Sequence, residues 1–290
     1  MIADTRSVQS ILTPQKKGFL ASSPFPFTHT LSPYTGCGFG STACGQYCYA
    51  QFMPNWTNYG TDQPWGKRVS IKENASAILS ESLRKMKNTG RSKLRIFMAS
   101  TTDPYQPLEA KYEITRKCLD VFAQYDDLDL LVVQTRSPLV ARDFERIKQL
   151  PYSWLSVTIE TDDSRFISRL GGGPLLQKRF EIVREAAAVG IHVQIVVSPC
   201  LPYSSSFAEH LATSGAERVI VDDFIAGDGS GGRRTATSRF GLNAKYDWRD
   251  SQLAHALYEK LQMMGVDVGW SAAGFCGIAP HLPMQQPILF

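Results

Sequence analysis

Cys37, Cys44 and Cys48 fall within twelve residues of one another, whereas Cys118, Cys200 and Cys276 are scattered along the chain. The loop that carries the three is rich in glycine, which lets a backbone turn tightly enough to gather several thiolates around one centre. Three thiolates on a short loop suit an iron–sulfur cluster. Structural zinc sites take four ligands, usually in paired two-residue spacings, and no clear fourth is present. His29 is the nearest imidazole; it sits on the run leading into the loop and reads as an ordinary core or surface histidine. Gln51 offers only an amide oxygen, a hard ligand that iron–sulfur sites do not favour. A centre held by three protein ligands keeps one position open. Open positions belong to catalysis rather than to scaffolding.

The elements that must position this loop follow it. Residues 94–99, 130–135, 154–160, 191–197 and 218–222 read as strands, with 266–270 as a further one. They are apolar on both faces, as in a parallel sheet covered by helices. Helical stripes occupy 71–86, 109–125, 142–150, 175–189, 207–214 and 248–264. Gly190 and Gly265 each end a helix immediately before a strand. Strand–helix alternation repeated in this way gives a parallel α/β fold, and the pattern alone does not separate an open sheet from a barrel. In either form ligands meet the loops after the carboxyl ends of the strands. Those loops carry Thr102 and Asp103, and Arg136, while Thr158 and Glu160 close the strand 154–160 at the same edge. Asp103 precedes Pro104, so a helix-capping role is an alternative for it, and Glu160 could equally be a surface-loop carboxylate.

The 290 residues are 43% hydrophobic and 20% charged, which excludes a disordered or fibrous chain and allows a barrel-sized core. Lys and Arg total 31 against 27 Asp and Glu, and the resulting +4 is too mild and too dispersed to mark a dedicated nucleic-acid binder. The longest apolar stretch, 186–197, is interrupted by His192 and Gln194, so no membrane span is expected. The N-terminus lacks an apolar core behind a basic start and does not read as a signal peptide. These features point to a cytoplasmic chain of a single domain, 1–290. The stretch 227–234 (GDGSGGRR) reads as a surface loop, with a lid or substrate loop as the alternative.

At Ser32-Pro33-Tyr34-Thr35-Gly36-Cys37 and Tyr47-Cys48-Tyr49-Ala50 the sequence resembles the radical S-adenosylmethionine (SAM) superfamily, in its spore photoproduct lyase-like branch. Thr102-Asp103-Pro104-Tyr105-Gln106-Pro107 strengthens the resemblance, which covers about residues 30–225 and leaves about 226–290 as a C-terminal extension. The spacing here is C-x6-C-x3-C, wider than the family's usual C-x3-C-x2-C. The resemblance implies a partial (β/α)6 TIM-like barrel. It implies that Cys37, Cys44 and Cys48 hold a 4Fe–4S cluster whose remaining iron chelates SAM, with electrons from an external donor. It places Asp103, with Thr102 beside it, on the SAM ammonium, and Arg136 on the SAM carboxylate or a substrate anion. Thr158 falls to ribose or methionine oxygens, Glu160 to the ribose diol, and Tyr47 against adenine.

The photoproduct lyases carry a hydrogen-donor cysteine where this chain has Ala99 to Thr102, so photoproduct repair itself is not indicated. By resemblance nucleic acid is the natural guess for an otherwise unidentified substrate. Cys118 reads as a small buried hydrophobe, Cys200 and Cys276 as structural residues with a lesser prospect of a radical or substrate role. The competing class is a non-catalytic zinc or iron–sulfur module that contacts nucleic acid.

Overall fold

The computed structural model describes residues 1–89, 93–243 and 245–280, so the tail of the C-terminal extension, 281–290, lies outside the described residues. Its strands are β1 Ile2–Arg6, β2 Leu12–Pro14, β3 His29–Leu31, β4 Tyr34–Thr35, β5 Arg68–Lys72, β6 Leu94–Met98, β7 Leu128–Thr135, β8 Ser153–Thr158, β9 His192–Val197, β10 Arg218–Val221 and β11 Val268–Trp270. Among the described residues eight of them form one sheet in the order β11-β10-β9-β8-β7-β6-β3-β2. All neighbours in it are parallel except β2 with β3. The fold is mixed α/β with a mostly parallel sheet.

The sheet is buried on both faces because its strands alternate two sets of apolar side chains. Ile96, Met98, Leu131, Val133, Leu155, Val157, Ile195 and Val221 pack with the helices in the larger core. Phe97, Leu130, Val132, Val196 and Ile220 point the other way, onto Leu20, Phe27, Phe275 and Ile278. Consecutive parallel strands bring their carboxyl ends to one edge. There Ala99 leaves β6 with φ 77, Arg136 follows β7, Ile159 follows β8, Ser198 follows β9 and Asp222 follows β10.

Several expected boundaries shift for local reasons. The stripe expected over 71–86 begins inside β5, where Ile71 is paired with β1 and β4, and the helix is Ala75–Asn88. The helix expected over 109–125 is two, Glu109–Tyr112 and Ile114–Phe122, broken at Glu113 with φ 53. The Glu109 carboxylate accepts the Thr115 and Arg116 N–H groups at 2.9 and 3.2 Å and so caps the restart. The 142–150 segment is a 3-10 turn, Pro138–Asp143, running into Phe144–Lys148. Glu160 lies beyond the end of β8. A second, small sheet, β1-β5-β4, was not expected from such short strands; it carries β4 directly into the thiol loop.

Candidate active site

Cys37 follows β4, Cys44 opens the short helix Cys44–Tyr47, and Cys48 terminates it. The loop is fastened to the segment after β6. Thr102 donates its hydroxyl to Gly36 O at 2.7 Å, Gly38 N–H donates to Gln106 Oε1 at 2.7 Å, and the Tyr34 hydroxyl donates to Glu109. Inside the loop Gly45 packs so closely on Gly40 that a Cβ would stand 1.8 Å from the Gly40 carbonyl oxygen. Gly45→Ala is therefore expected to destabilise the chain by about 3 kcal/mol, the upper end of overpacking costs, and to reduce iron uptake. Thermal melting and iron assay of the variant test this; an unchanged melting temperature would contradict it.

The three thiols line one cavity of about 90 Å³ together with Thr102, Asp103, Arg136 and Thr158. Cys44, Cys48, Tyr47 and Arg136 also line an adjoining cavity of about 540 Å³. The larger one has the size of a small-molecule site. Thus the residues singled out in the sequence are brought together at one sheet edge, with Glu160 buried behind them. Asp103 accepts three hydrogen bonds, from Tyr105 N–H at 2.8 Å, Thr135 Oγ1 at 2.6 Å and Arg136 N–H at 2.9 Å. It ties the β6 and β7 ends together rather than starting a helix at Pro104. Burial raises its carboxyl above the ordinary range, against the pull of those bonds.

Glu160 is fully buried, so the surface-loop alternative does not hold. It accepts from Tyr47 OH at 2.8 Å, from Arg136, and from Arg179 Nη1 at 2.6 Å. Burial favours the neutral acid, yet Arg136 and Arg179 hold the carboxyl down at about 2. Burial likewise opposes the charge on Arg136, and the Cys44 thiol, Glu160 and Tyr47 outweigh it. Tyr47 also meets Phe224 and Phe240 edge-on, with ring centroids 6.1 and 5.9 Å away.

Burial pushes the Cys37 thiol up to about 12. Cys44 and Cys48 share a thiol–thiol hydrogen bond, which lowers Cys44 and raises Cys48; Arg136 adds to the lowering at Cys44 against burial. Ligation requires thiolates, and a cationic neighbour helps to supply them. Among the described residues no three His, Cys, Asp or Glu side chains are grouped closely enough to hold a single metal ion. A cluster, in which each thiolate binds its own iron, asks instead for three thiols on one cavity, and these three line one. Among the described residues that line the smaller cavity there is no further Cys or His beside them. The donor set fits a 4Fe–4S cluster with one corner open.

Cys118, Cys200 and Cys276 are buried and line neither cavity. Cys200 lies off the site mouth where its position after β9 had suggested it. Sequence reasoning missed Arg179, which is 2% exposed on the helix Leu176–Ala188. Its signal was legible: an arginine within the buried stripe Leu176, Arg179, Ile182, Val183, Ala186. It also missed Asp222, which lines the larger cavity, and it took the glycine loop first as a surface loop, whereas Asp228, Gly229 and Arg234 line that cavity.

A family profile described as a protein of unknown function (DUF5131) matches residues 25–172. The chain belongs to this family. An uncharacterized protein of Methanocaldococcus jannaschii is 30% identical over 175 residues, 60% of this chain and 61% of the relative. An uncharacterized protein of Mycobacterium tuberculosis H37Rv is 26% identical over 212 residues, 69% of this chain and 59% of the relative. The chain thus spans about three fifths of the length of these two curated relatives. The Radical SAM Nalpha-GlyT isomerase of Pseudomonas phage M6 is 27% identical over 154 residues, covering 51% of this chain and 32% of that one.

Among solved structures, spore photoproduct lyase complexed with dinucleoside spore photoproduct superposes with TM-score 0.61 at 16% identity, over 93% of this chain and 82% of that one. A mutant of the same enzyme with bound AdoMet and the dinucleoside photoproduct gives 0.60 at 15% identity, over 92% and 80%. The resemblance carried by the thiol loop therefore holds at the level of the fold.

Proposed function

We propose that this chain is a radical SAM enzyme in which Cys37, Cys44 and Cys48 hold a 4Fe–4S cluster and SAM lies beside it, between the smaller cavity that Thr102, Asp103 and Thr158 line and the larger one that Tyr47 lines. The single observation that carries the reading is the arrangement of the thiols. All three line one cavity at the carboxyl edge of a parallel sheet, with no further Cys or His among its described lining residues, beside a space large enough for a nucleoside. In this reading the chain is one cytoplasmic domain whose sheet curves as a partial (β/α)6 barrel. No helix among the described residues is long and apolar enough to cross a membrane.

When bound together, cluster and SAM would supply reductive cleavage to a 5′-deoxyadenosyl radical and hydrogen abstraction from the substrate, with electrons from an external donor. The protein's residues bind and orient. Glu160 fixes one face of Arg136, leaving its other N–H groups to meet the SAM carboxylate. Asp103 keeps unused acceptor capacity toward the SAM ammonium, with Thr102 holding the thiol loop beside it. The Thr158 hydroxyl faces ribose or methionine oxygens, and Tyr47, held by Glu160, offers its ring to adenine. Glu160 has three protein donors of its own, so it acts on the ribose through Arg136 and Tyr47 rather than directly. Nucleic acid is the candidate substrate, supported by the dinucleoside bound to a protein of the same fold.

Anaerobic reconstitution with iron and sulfide is expected to give a brown protein with about four of each per chain. With a strong reductant it should convert SAM to 5′-deoxyadenosine. A product that binds only zinc, or SAM left intact under every reducing condition tried, would overturn the proposal in favour of the metal-binding module.

A further inference from the structure

Asp222 stands at the carboxyl end of β10, fully buried, and lines the 540 Å³ cavity that Cys44 and Cys48 also line. Its backbone is pinned on both sides, N–H to Val197 O at 2.9 Å and C=O to Cys200 N–H at 2.8 Å. Its carboxyl meets only neutral donors. Oδ1 accepts the Asp223 N–H at 3.0 Å, Oδ2 accepts the Ser198 hydroxyl at 3.3 Å, and the Ser271 hydroxyl adds a third bond. Among the described residues, no Lys, Arg or His forms an ion pair with it. A buried carboxylate without a cation is costly unless something outside the chain supplies one.

The neighbouring acids on this cavity are employed differently. Asp223 Oδ1 accepts the N–H groups of Ile225 and Ala226 at 2.8 and 2.6 Å. Asp228 accepts from Ser230, Gly232 and Thr235 and so shapes the glycine loop. Asp222 has no loop to hold. Gly227 packs against its Oδ2 side, where a Cβ would stand 2.5 Å from that oxygen, so no side chain at 227 can cover it.

We propose that Asp222, with the Ser198 hydroxyl, anchors a primary ammonium group of the substrate in the larger cavity. Oδ1 is turned onto the Asp223 N–H, which leaves one carboxylate oxygen and one hydroxyl. That pair suits a compact three-donor ammonium better than the planar fork of a guanidinium, which needs both carboxylate oxygens. Tyr49 and Phe224 line the same cavity, and aromatic faces favour an organic cation. The inference rests on the radical SAM reading for its assignment to a substrate, and it favours an amine-bearing substrate over unmodified nucleic acid, which carries no primary ammonium; ammonium binding itself depends on neither.

Burial, reinforced by the charge of Asp223, places the Asp222 carboxyl at about 7. The titratable groups acting on it are Asp223 beside it and Tyr49 from the thiol loop; Cys200 meets it through the backbone and acts on Asp223, Arg234 acts on Tyr49 from the helix Arg233–Thr237, and Lys17, Lys72, Arg136 and Asp228 line the same cavity. Burial drives the Tyr49 hydroxyl and the Cys200 thiol upward, away from neutrality. An alkylammonium stays protonated between pH 6 and 8, as lysine does. Its binding should therefore strengthen as pH rises through about 7 and Asp222 ionises.

The test is calorimetric titration of the purified full chain, without reductant, with n-butylammonium and with 1-butanol as the uncharged counterpart. Wild type is expected to prefer the ammonium, more at pH 8 than at pH 6, and Asp222→Asn to lose about tenfold or more of the affinity at pH 8. Equal affinity for the two probes, or a flat pH profile in wild type, would overturn the proposal without needing any variant to fold. Abolition of ammonium binding by saturating SAM would overturn it too, because the anchor would then belong to the SAM site. Iron content and SAM cleavage report separately on the radical reading, so the two can fail independently.

Discussion

Cys48→Ala is expected to remove iron and sulfide incorporation and SAM cleavage together, while Cys118→Ala leaves both in place. Cys48 terminates the short helix after Cys44, bonds the Cys44 thiol, and lines both cavities. Cys118 is fully buried in Ile114–Phe122, where burial holds its thiol up at about 12, and it lines neither cavity. Loss of a partner that merely orients a metal ligand already costs 10–100-fold, so loss of a ligand should exceed about 100-fold in SAM cleavage. The helix turn itself is closed by the Cys48 N–H to Cys44 O bond, which alanine retains. Cys118→Ala, by contrast, should cost only about 1 kcal/mol of packing, visible as a small drop in melting temperature. Iron and sulfide assays, SAM turnover by chromatography, and melting curves on both variants decide the matter. Equal losses of iron in the two would sink the ligand assignment.

What could be read beforehand, and what could not, follows from the range of the interactions involved. The strands β6 to β10 were legible because each is a run buried on both faces, a signal contained in the run itself. So was the gathering of Cys37, Cys44 and Cys48, whose spacing is local. Thr102, Asp103 and Arg136 were found because parallel strands force their carboxyl ends to one edge. Their partners were not legible. Thr102 bonds Gly36 across 66 residues, Tyr47 bonds Glu160 across 113, and nothing in either neighbourhood announces the other. Arg179 reaches Glu160 from a separate helix, and only its place in an apolar stripe betrays it. The break at Glu113 was hidden for the same reason, since it depends on a side chain folding back to cap a helix that had looked continuous.

Glu160→Gln should cost about 3–5 kcal/mol at neutral pH, the usual penalty for removing one member of a buried ion pair. Gln keeps the shape and can still accept from Tyr47, but it leaves Arg136 and Arg179 buried without their counter-charge. For a chain of this size that corresponds to a fall in melting temperature of roughly 10 °C. The pH dependence gives an independent check of the same group. Its folded value of about 2 lies below the ordinary 4.5 of a free glutamate, so its contribution to stability is complete above the unfolded value and disappears as pH falls toward about 2. The shift corresponds to about 3 kcal/mol. Wild type should thus lose stability between about pH 4.5 and 2 that Glu160→Gln never had, and the gap between their melting temperatures should narrow as the acid is titrated. Other acids titrate in the same experiment. Asp228 is held low by its loop, and Asp103 is raised by burial, which acts with the opposite sign. Both are shared by wild type and variant and cancel in the difference. A gap that stays constant down to pH 3 would mean that Glu160 is not held ionised by Arg136 and Arg179, and the positioning of Arg136 toward the cavity would need another cause.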